Sequence, residues 1–185
     1  MRALGWSGMQ TLRLRAMLAI ATLAGCATPI AHHEPASAVS PASGPTVLAR
    51  LAARLHGSWQ AETAPGRRVI ESFRTISADS ALVETFVTAG GRETASIYHA
   101  DREALLMTHY CAQGNQPRLQ LTSSSEDDYV FRFRDATNLL PEQSCLVEKR
   151  LHFVGDKLEQ TEVYKASNGS TESTTLHFER HAPAN

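Results

Sequence analysis

Apolar and polar residues alternate over most of the chain after residue 56. Ten runs alternate in this way or are rich in β-branched residues, and glycine, asparagine, aspartate and serine separate them. Short alternating runs divided by turn residues are typical of antiparallel strands joined by hairpins. The ten predicted strands cover residues 57–62, 67–76, 80–88, 92–100, 103–111, 117–123, 128–134, 146–154, 157–166 and 170–180.

A helical period precedes these runs, in residues 46–55. One face of this short amphipathic segment is formed by Val47, Leu48, Leu51 and Leu55. The strands that follow have one apolar face, as in YVFRFR at 129–134, and a closed barrel buries such a face and leaves no free edge. We therefore predict a mainly β fold, an antiparallel up-and-down β-barrel of about eight to ten strands preceded by one short helix.

The first 25 residues have the parts of a secretory signal peptide. Three arginines and no acidic residue accompany a run of about ten apolar residues that ends at Gly25. This run is too short to span a membrane, which takes about 20 residues. A flexible tether rich in alanine, serine and proline follows up to residue 45. The barrel domain is predicted over residues 46–181, with a short tail over residues 182–185.

The segment Leu23-Ala24-Gly25-Cys26 resembles the lipobox of bacterial lipoproteins. The resemblance implies that Cys26 is diacylated and becomes the first residue of the mature chain, so that residues 26–45 form a lipidated tether. Several acyl chains give stable membrane attachment. Alanine rather than aspartate after the cysteine resembles the enterobacterial signal for the outer membrane, which implies its periplasmic face. The alternative is an ordinary signal peptide followed by an unrelated cysteine.

The charge balance excludes nucleic acid as the main partner. The chain has 18 basic and 19 acidic residues and a net charge of -1, so it lacks the basic field that phosphate binding requires. Removal of the leader takes three arginines and leaves a mature chain of charge about −4. We expect this anionic domain to meet the membrane only through its lipid anchor.

The order of helix, Gly57-Ser58-Trp59 and strand meander resembles the calycins, the superfamily of lipocalins, fatty-acid-binding proteins and nitrobindins. The resemblance implies structural roles: Gly57 and Trp59 open the first strand, the tryptophan closes the barrel floor, and Arg180 of the last strand lies over it. A second block, THYCAQGNQPR at 108–118, is similar to one in uncharacterised bacterial lipocalin-like proteins. That block has no assigned role, so it supports the fold and leaves the activity open.

Several polar residues fall on the inward face of their strands. Glu84 lies between Leu82 and Phe86, and His109 continues the phase of Leu105 and Met107. Buried carboxylates are costly unless they are paired, so a barrel that keeps several of them is expected to line a wet cavity. We predict that this ligand cavity is lined by Glu84, His109, Glu162 and Tyr164, with Arg118 near its rim.

Two alternatives remain for these residues. A register slip or β-bulge would place one or more of them outside the barrel. Arg118 follows a proline in a turn-like segment, where it could instead stabilise the loop by donating to carbonyl groups.

Once Cys26 is lipidated, two cysteines remain, Cys111 and Cys145. In an oxidising periplasm an even number of cysteines predicts a disulfide between them. The segment between residues 135 and 144 would have to fold back for this bond to form. The alternatives are two free thiols, or a Cys111 nucleophile activated by His109. No usual zinc spacing and no late-strand haem ligand occur, so neither a metal nor another cofactor is predicted.

The sequence therefore predicts a lipid-anchored periplasmic barrel that binds a small, partly apolar ligand. One rival is an enzyme that uses Glu84, His109 and Glu162 for acid and base chemistry. Another is an envelope scaffold that acts through the exterior of the barrel. The fold alone does not decide between them, because the same fold hosts many functions.

Overall fold

The computed structural model describes residues 43–182, so the predicted leader, Cys26, the tether up to residue 42 and the last three residues lie outside the described residues. One helix, α1, spans Gly44–Leu55 and is followed by ten strands. The strands are β1 Gly57–Ala64, β2 Arg67–Ile76, β3 Ala81–Val87, β4 Glu93–Asp101, β5 Ala104–Tyr110, β6 Gln116–Ser124, β7 Asp128–Thr137, β8 Cys145–Val154, β9 Lys157–Lys165 and β10 Thr171–Arg180.

The strands form a closed antiparallel barrel in which each strand pairs with the next along the chain and β10 pairs with β1. This is the predicted up-and-down fold, and every strand lies within a few residues of its predicted limits. Most connections between consecutive strands are turns, because the sequence places glycine, asparagine and serine between the alternating runs. Among the residues that the structure describes, no helix has the length and apolarity needed to cross a membrane.

Helix α1 closes one end of the barrel, which we name the closed end. Its first residue, Gly44, donates its N–H to the Glu103 carbonyl in the β4–β5 turn at 3.0 Å. A Cβ at this position would overlap the Ala104 carbonyl oxygen, so the close approach requires glycine. Near the other end of the helix, Arg54 pairs with Asp127 of the β6–β7 turn at 3.1 Å. The helix begins two residues earlier than the pattern predicted because Pro45, with its fixed φ, favours the first helical turn.

Trp59 and Arg180 join the first and last strands to the end of the helix. The Trp59 indole N–H donates to the Leu55 carbonyl at 2.8 Å, and the Arg180 guanidinium carbon lies 3.9 Å from the centre of the Trp59 ring. Arg180 also donates to the carbonyls of His56 and Arg54, both at 2.6 Å. The arginine therefore lies over the tryptophan as the calycin resemblance implied.

Gly57 starts β1 with a φ of 105°, in the left-handed region that favours glycine. An added Cβ would also stand 3.5 Å from the Arg180 guanidinium. The φ angle favours glycine at this position, while the 3.5 Å distance is an ordinary van der Waals contact.

The half of the barrel near α1 is filled by apolar side chains. Each such side chain, when fully buried, contributes about 1.5–3 kcal/mol to folding. The largest of these fully buried side chains are Trp59, Phe73, Tyr98, Tyr129, Phe131 and Phe178. This packing fills the barrel interior near α1, so the polar side chains of the interior lie in the other half.

Strand pairing is less continuous toward the opposite end, which we name the open end. Strands β1 and β10 are paired only at Trp59 with Arg180 and at Gln60 with Glu179. Strands β7 and β8 are paired from Asp128 as far as Arg132, although β7 continues to Thr137. The open end is therefore the end at which solvent and small molecules can approach the interior.

Candidate functional site

Polar side chains form a layer inside the barrel, between the apolar half and the open end. They come from six strands, and most of them are buried. We name this set the polar layer, and it consists of Glu71, Glu84, Ser96, His109, Lys149, Gln160 and Glu162.

Three members of the polar layer face one another on adjacent strands. In register, Glu84 of β3 lies opposite Ser96 of β4, and Ser96 lies opposite His109 of β5. The Ser96 hydroxyl donates to Glu84 Oε1 at 3.1 Å, and Ser96 Oγ is also 3.1 Å from His109 Nδ1. Because the hydroxyl has a single proton, this arrangement assigns the Nδ1 proton to the imidazole. Direct cross-strand pairing thus builds a short hydrogen-bonded chain.

Lys149 of β8 crosses the interior to the opposite wall. Its Nζ lies 2.6 and 2.7 Å from the two oxygens of Glu84. It is also 3.2 Å from Glu162 and 3.9 Å from Glu71. The Tyr98 hydroxyl donates to Glu84 at 2.5 Å, so both oxygens of this buried carboxylate are occupied. Glu84 and Lys149 therefore form a fully buried, hydrogen-bonded ion pair.

Two carboxyl groups of the polar layer, those of Glu84 and Glu71, differ in protonation state. Burial raises the pKa of Glu84, but the Lys149 ammonium and its hydrogen bonds outweigh burial and hold that pKa below its usual value. Burial lowers the pKa of Lys149, yet Glu84 and the other acidic groups raise it well above normal. Both members of the pair are therefore charged.

Glu71 is in the opposite situation. Burial and the negative charge of Glu84 raise its pKa well above the usual value. Its Oε2 and the Oε1 of Gln160 are buried without a hydrogen-bond partner, while Gln160 Nε2 donates to the other Glu71 oxygen at 3.1 Å. A proton on Glu71 removes the cost of an unpaired buried charge, so the neutral acid is the favoured form.

Tyr164 of β9 connects the polar layer to the open end. Its hydroxyl is 3.4 Å from His109 Nε2 and 3.4 Å from Glu162 Oε2. Burial raises the pKa of the Tyr164 phenol, which therefore stays protonated. Burial lowers the pKa of His109 more than Glu162 and Glu84 raise it, which favours the neutral imidazole. The protonated Tyr164 phenol and the neutral His109 imidazole therefore lie side by side as a potential acid and base.

A cavity of about 250 Å³ lies at the open end, next to Tyr164, and we name it the mouth. The Glu162 side chain, on the same face of β9 as Tyr164, remains 23% exposed, so solvent reaches it. The mouth is lined by Ser144, Tyr164, Ala166, Ser170, Glu172 and Thr174.

A second cavity, of about 420 Å³, adjoins the mouth and also includes Ala166; we name it the apolar groove. It lies where β7 and β8 are no longer paired. Three exposed large hydrophobic side chains line it, an accumulation that marks a binding surface more often than chance exposure does. The groove is lined by Phe133, Leu139, Leu140, Pro141, Gln143, Cys145, Val147, Lys165, Ala166 and Ser167.

The structure brings together four of the five residues that the sequence placed in a ligand cavity. Glu84, His109, Glu162 and Tyr164 all point into the barrel and belong to one contact network. Glu84, however, is 2% exposed and held by Lys149, so it supports the site from below and does not face the mouth.

The prediction that Arg118 lies at the cavity rim is corrected. Its side chain is about half exposed and lies on the exterior of β6, where it pairs with Asp135 of β7 at 2.5 Å. The buried neighbours Pro117 and Leu119 occupy the inward positions, and the pairing register shifts between Arg118 and Leu119. Neither the rim position nor a bond to loop carbonyls describes this arginine.

Cys111 and Cys145 are free thiols in the structure. Burial and the proximity of Cys111 raise the pKa of Cys145. The segment after β7 folds back as a disulfide would require, because Gln113 donates to Ser144 at 2.7 Å and Gln143 donates to the Gln113 carbonyl at 2.7 Å. The disulfide itself stays a prediction.

The hypothesis of a Cys111 nucleophile activated by His109 finds no geometric support. The two ring nitrogens of His109 face Ser96 and Tyr164, so neither is directed at the Cys111 sulfur. Within residues 43–182, no three His, Cys, Asp or Glu side chains are grouped so that they could hold a metal ion.

Sequence reasoning missed two central members of the polar layer, although the phase of their strands marks both. Glu71 lies between the inward residues Val69 and Phe73, and Lys149 lies two residues before the inward Leu151. Applying the alternation to every strand would have found them.

A ten-stranded antiparallel barrel closed by one helix, with a polar layer beneath an open mouth, is compatible with a calycin-like fold. No family model and no curated protein matches this chain. The argument for function therefore rests on the site itself.

Proposed function

We propose that this protein binds a small, partly apolar ligand at the open end of its barrel. The observation that carries the proposal is the connection between the mouth and the polar layer through Tyr164, whose hydroxyl contacts both His109 and Glu162. Sites for small molecules combine apolar walls with a few convergent polar groups and perturbed pKa values. The mouth and the apolar groove have this combination.

Energetics support a functional reason for the polar layer. Replacing a buried ion pair by apolar residues of similar volume is often neutral or stabilising, so such a pair is weak evidence for stability alone. The Glu84–Lys149 pair sits among a protonated acid, a neutral histidine and a tyrosine, which is more polar chemistry than closure of a barrel needs. We attribute its retention to the ligand site above it.

Native mass spectrometry of the purified protein, compared with its denatured mass, tests this proposal. We expect a reproducible extra mass that disappears on denaturation and is reduced in Tyr164→Ala. The matched control is Tyr110→Ala, since Tyr110 is 47% exposed and lies outside the lining of the mouth. A folded protein that carries no extra mass, and gains none when incubated with a cell extract, would contradict ligand binding. A stable protein partner in the same spectrum would favour the scaffold role.

An enzyme is the second candidate. The observation in its favour is the hydrogen-bonded chain from Tyr164 through His109 to Ser96 and Glu84, which could move a proton between the mouth and the interior. Chemical change of the recovered ligand during incubation, with a rate that depends on pH, would distinguish an enzyme from a binding protein.

We also propose that the domain is held by lipid on the periplasmic face of the outer membrane. The support is the lipobox-like Leu23-Ala24-Gly25-Cys26 after an apolar run. In Cys26→Ser the protein should move from the outer-membrane fraction to the soluble periplasmic fraction, because several acyl chains are needed for stable attachment. Unchanged membrane fractionation of this variant would contradict the anchor.

A further inference from the structure

The exposed apolar side chains of the barrel are concentrated at the apolar groove. Among the described residues, five large hydrophobic side chains are exposed, and three of them line this groove: Phe133, Leu139 and Leu140. Leu139 and Leu140 are 40% and 49% exposed and are consecutive in the β7–β8 connection at the open end, where Pro141 follows them. A contiguous apolar patch on a folded domain marks a surface that a partner covers.

Basic side chains surround this patch. Lys165 is the one charged residue in the lining of the apolar groove. On the exterior of β7 and β8, Arg132 and Arg150 share a single carboxylate, that of Glu148, at 2.9 and 2.5 Å, and Arg134 of β7 is also exposed. We name Lys165 and these three arginines the basic rim. The apolar patch therefore lies within a surface that keeps an excess of positive charge, even with Glu142 of the β7–β8 connection included.

The closed end of the barrel is more acidic than the open end. Its four strand connections contain five acidic residues and one basic residue, and the arginines of α1 and Arg180 offset part of this excess. The five connections at the open end contain one residue of each sign, Arg92 and Glu142. An anionic surface therefore favours the open end. The charged residues of the closed-end connections are Asp79, Arg102, Glu103, Glu126, Asp127 and Asp156.

The predicted tether is long enough for the open end to face the membrane. It joins Cys26 to the helix at the closed end, where Gly44 contacts the β4–β5 turn. Residues 27–42 span at most about 55 Å when fully extended. The longest strands have ten residues and are about 33 Å long. A lipid on Cys26 can therefore reach a membrane that lies beyond the open end.

We infer that the open end docks on the surface of a membrane that contains anionic lipids. Leu139 and Leu140 enter the boundary between headgroups and acyl chains, and the basic rim faces the lipid phosphates. Apolar side chains beside basic residues are the combination that binds such surfaces. The net charge alone gave the expectation that the domain meets the membrane only through its anchor, whereas the uneven distribution of charge favours a second contact.

This docking surface goes beyond the proposed ligand binding, and only the reach of the tether rests on the proposed lipid anchor. Docking would also turn the mouth toward the bilayer, in which a partly apolar ligand dissolves.

Flotation with lipid vesicles tests the contact in the absence of the anchor. The chain from Ala27 to Asn185 lacks the leader and Cys26 but contains the whole helix and barrel. We expect it to float with vesicles of phosphatidylcholine and phosphatidylglycerol at about 3:1, and to bind phosphatidylcholine alone about tenfold more weakly. Added salt should weaken binding to the anionic vesicles, because it screens the basic rim.

Two pairs of variants locate the contact. Leu140→Ser should lower the partition coefficient by about tenfold, whereas Val154→Ser, which changes a side chain 50% exposed at the closed end, should leave it within about twofold. Lys165→Gln should lower binding to the anionic vesicles by about fivefold, and Lys157→Gln at the closed end should have little effect. All four side chains are exposed, so the urea midpoints should match that of the wild type.

Tryptophan substitutions identify the end that enters the membrane. With vesicles whose acyl chains are brominated, the fluorescence of Leu140→Trp should shift to shorter wavelength and be quenched, and that of Val154→Trp should do neither. Trp59 is 1% exposed and gives the same background in both variants.

Three outcomes would overturn the inference. The first is no flotation with the anionic vesicles, and the second is an equal loss in Leu140→Ser and Val154→Ser. The third is a dimer that Leu140→Ser dissociates and that does not bind vesicles, which would mean that a second copy of the chain covers the patch. Because the tested chain lacks Cys26 and needs no ligand, each of these results is distinct from a failure of the proposed anchor or of ligand binding.

Discussion

Replacing Lys149 by methionine should destabilise the barrel more than any exposed substitution of the same kind. The change keeps most of the side-chain volume and removes the ammonium that contacts both oxygens of Glu84. Glu84 would then be a buried carboxylate with only the Tyr98 and Ser96 hydroxyls as partners. Removing one member of a buried ion pair costs about 3–5 kcal/mol, and we expect a loss in this range at pH 7.5.

The loss should depend on pH. Without the ammonium, burial raises the folded-state pKa of Glu84 above its unfolded value of about 4.3. A carboxyl group of this kind stabilises the fold fully below the unfolded pKa, and that contribution is lost as the pH rises through the folded pKa. In the wild type Lys149 holds the pKa of Glu84 low, so stability instead falls as the medium becomes acidic. The difference between the two proteins should therefore shrink between pH 7.5 and pH 4.5.

Urea denaturation followed by far-UV circular dichroism at both pH values measures this difference. Lys157→Met is the matched control, since Lys157 also pairs with a glutamate at 2.6 Å but is exposed, and its loss should leave the midpoint nearly unchanged. The double variant Lys149→Met/Glu84→Gln, which removes both charges, should recover most of the stability. If Lys149→Met unfolds at the wild-type urea concentration, or if its deficit is the same at both pH values, the buried ion pair does not have the role described here.

Other parts of the structure give three further predictions. Gly44→Ala should lower stability by about 1–3 kcal/mol in denaturant titrations, because the new methyl group meets the backbone of the β4–β5 turn. Arg180→Met should lose about 1–2 kcal/mol, measured in the same way, because it forfeits the contact with Trp59 and two hydrogen bonds to the helix end. Air-oxidised protein should be about 2 Da lighter than reduced protein if Cys111 and Cys145 form the disulfide, and an unchanged mass would favour free thiols.

The sequence predicted the architecture well because alternation and turn chemistry are local properties. In residues 157–166, Leu158 and Tyr164 fall in one phase, and Gly155 and Gly169 lie in the turns on either side. The observed strand spans Lys157–Lys165. The residues within such a segment and in its flanking turns are sufficient to predict the strand, and the same holds for the helix before β1.

The site was only partly predictable because phase gives the face of a strand and not the partner across the barrel. The inward positions of Glu84 and His109 followed from their neighbours, but Lys149 reaches Glu84 over a separation of 65 residues. A local pattern contains no sign of that contact. Arg118 is a different case, because simple alternation with its buried neighbours Pro117 and Leu119 already places it on the outward face of β6.

The short seam between the first and last strands has a consequence for folding. Only Trp59 with Arg180 and Gln60 with Glu179 are in register there, and these pairs join positions about 120 residues apart. Loop closure over such a distance is entropically expensive and slow. The other nine pairings connect neighbours along the chain and can form as hairpins. We therefore expect an open sheet of hairpins to form first, with ring closure, fastened by Arg180 over Trp59, as the final and rate-limiting event.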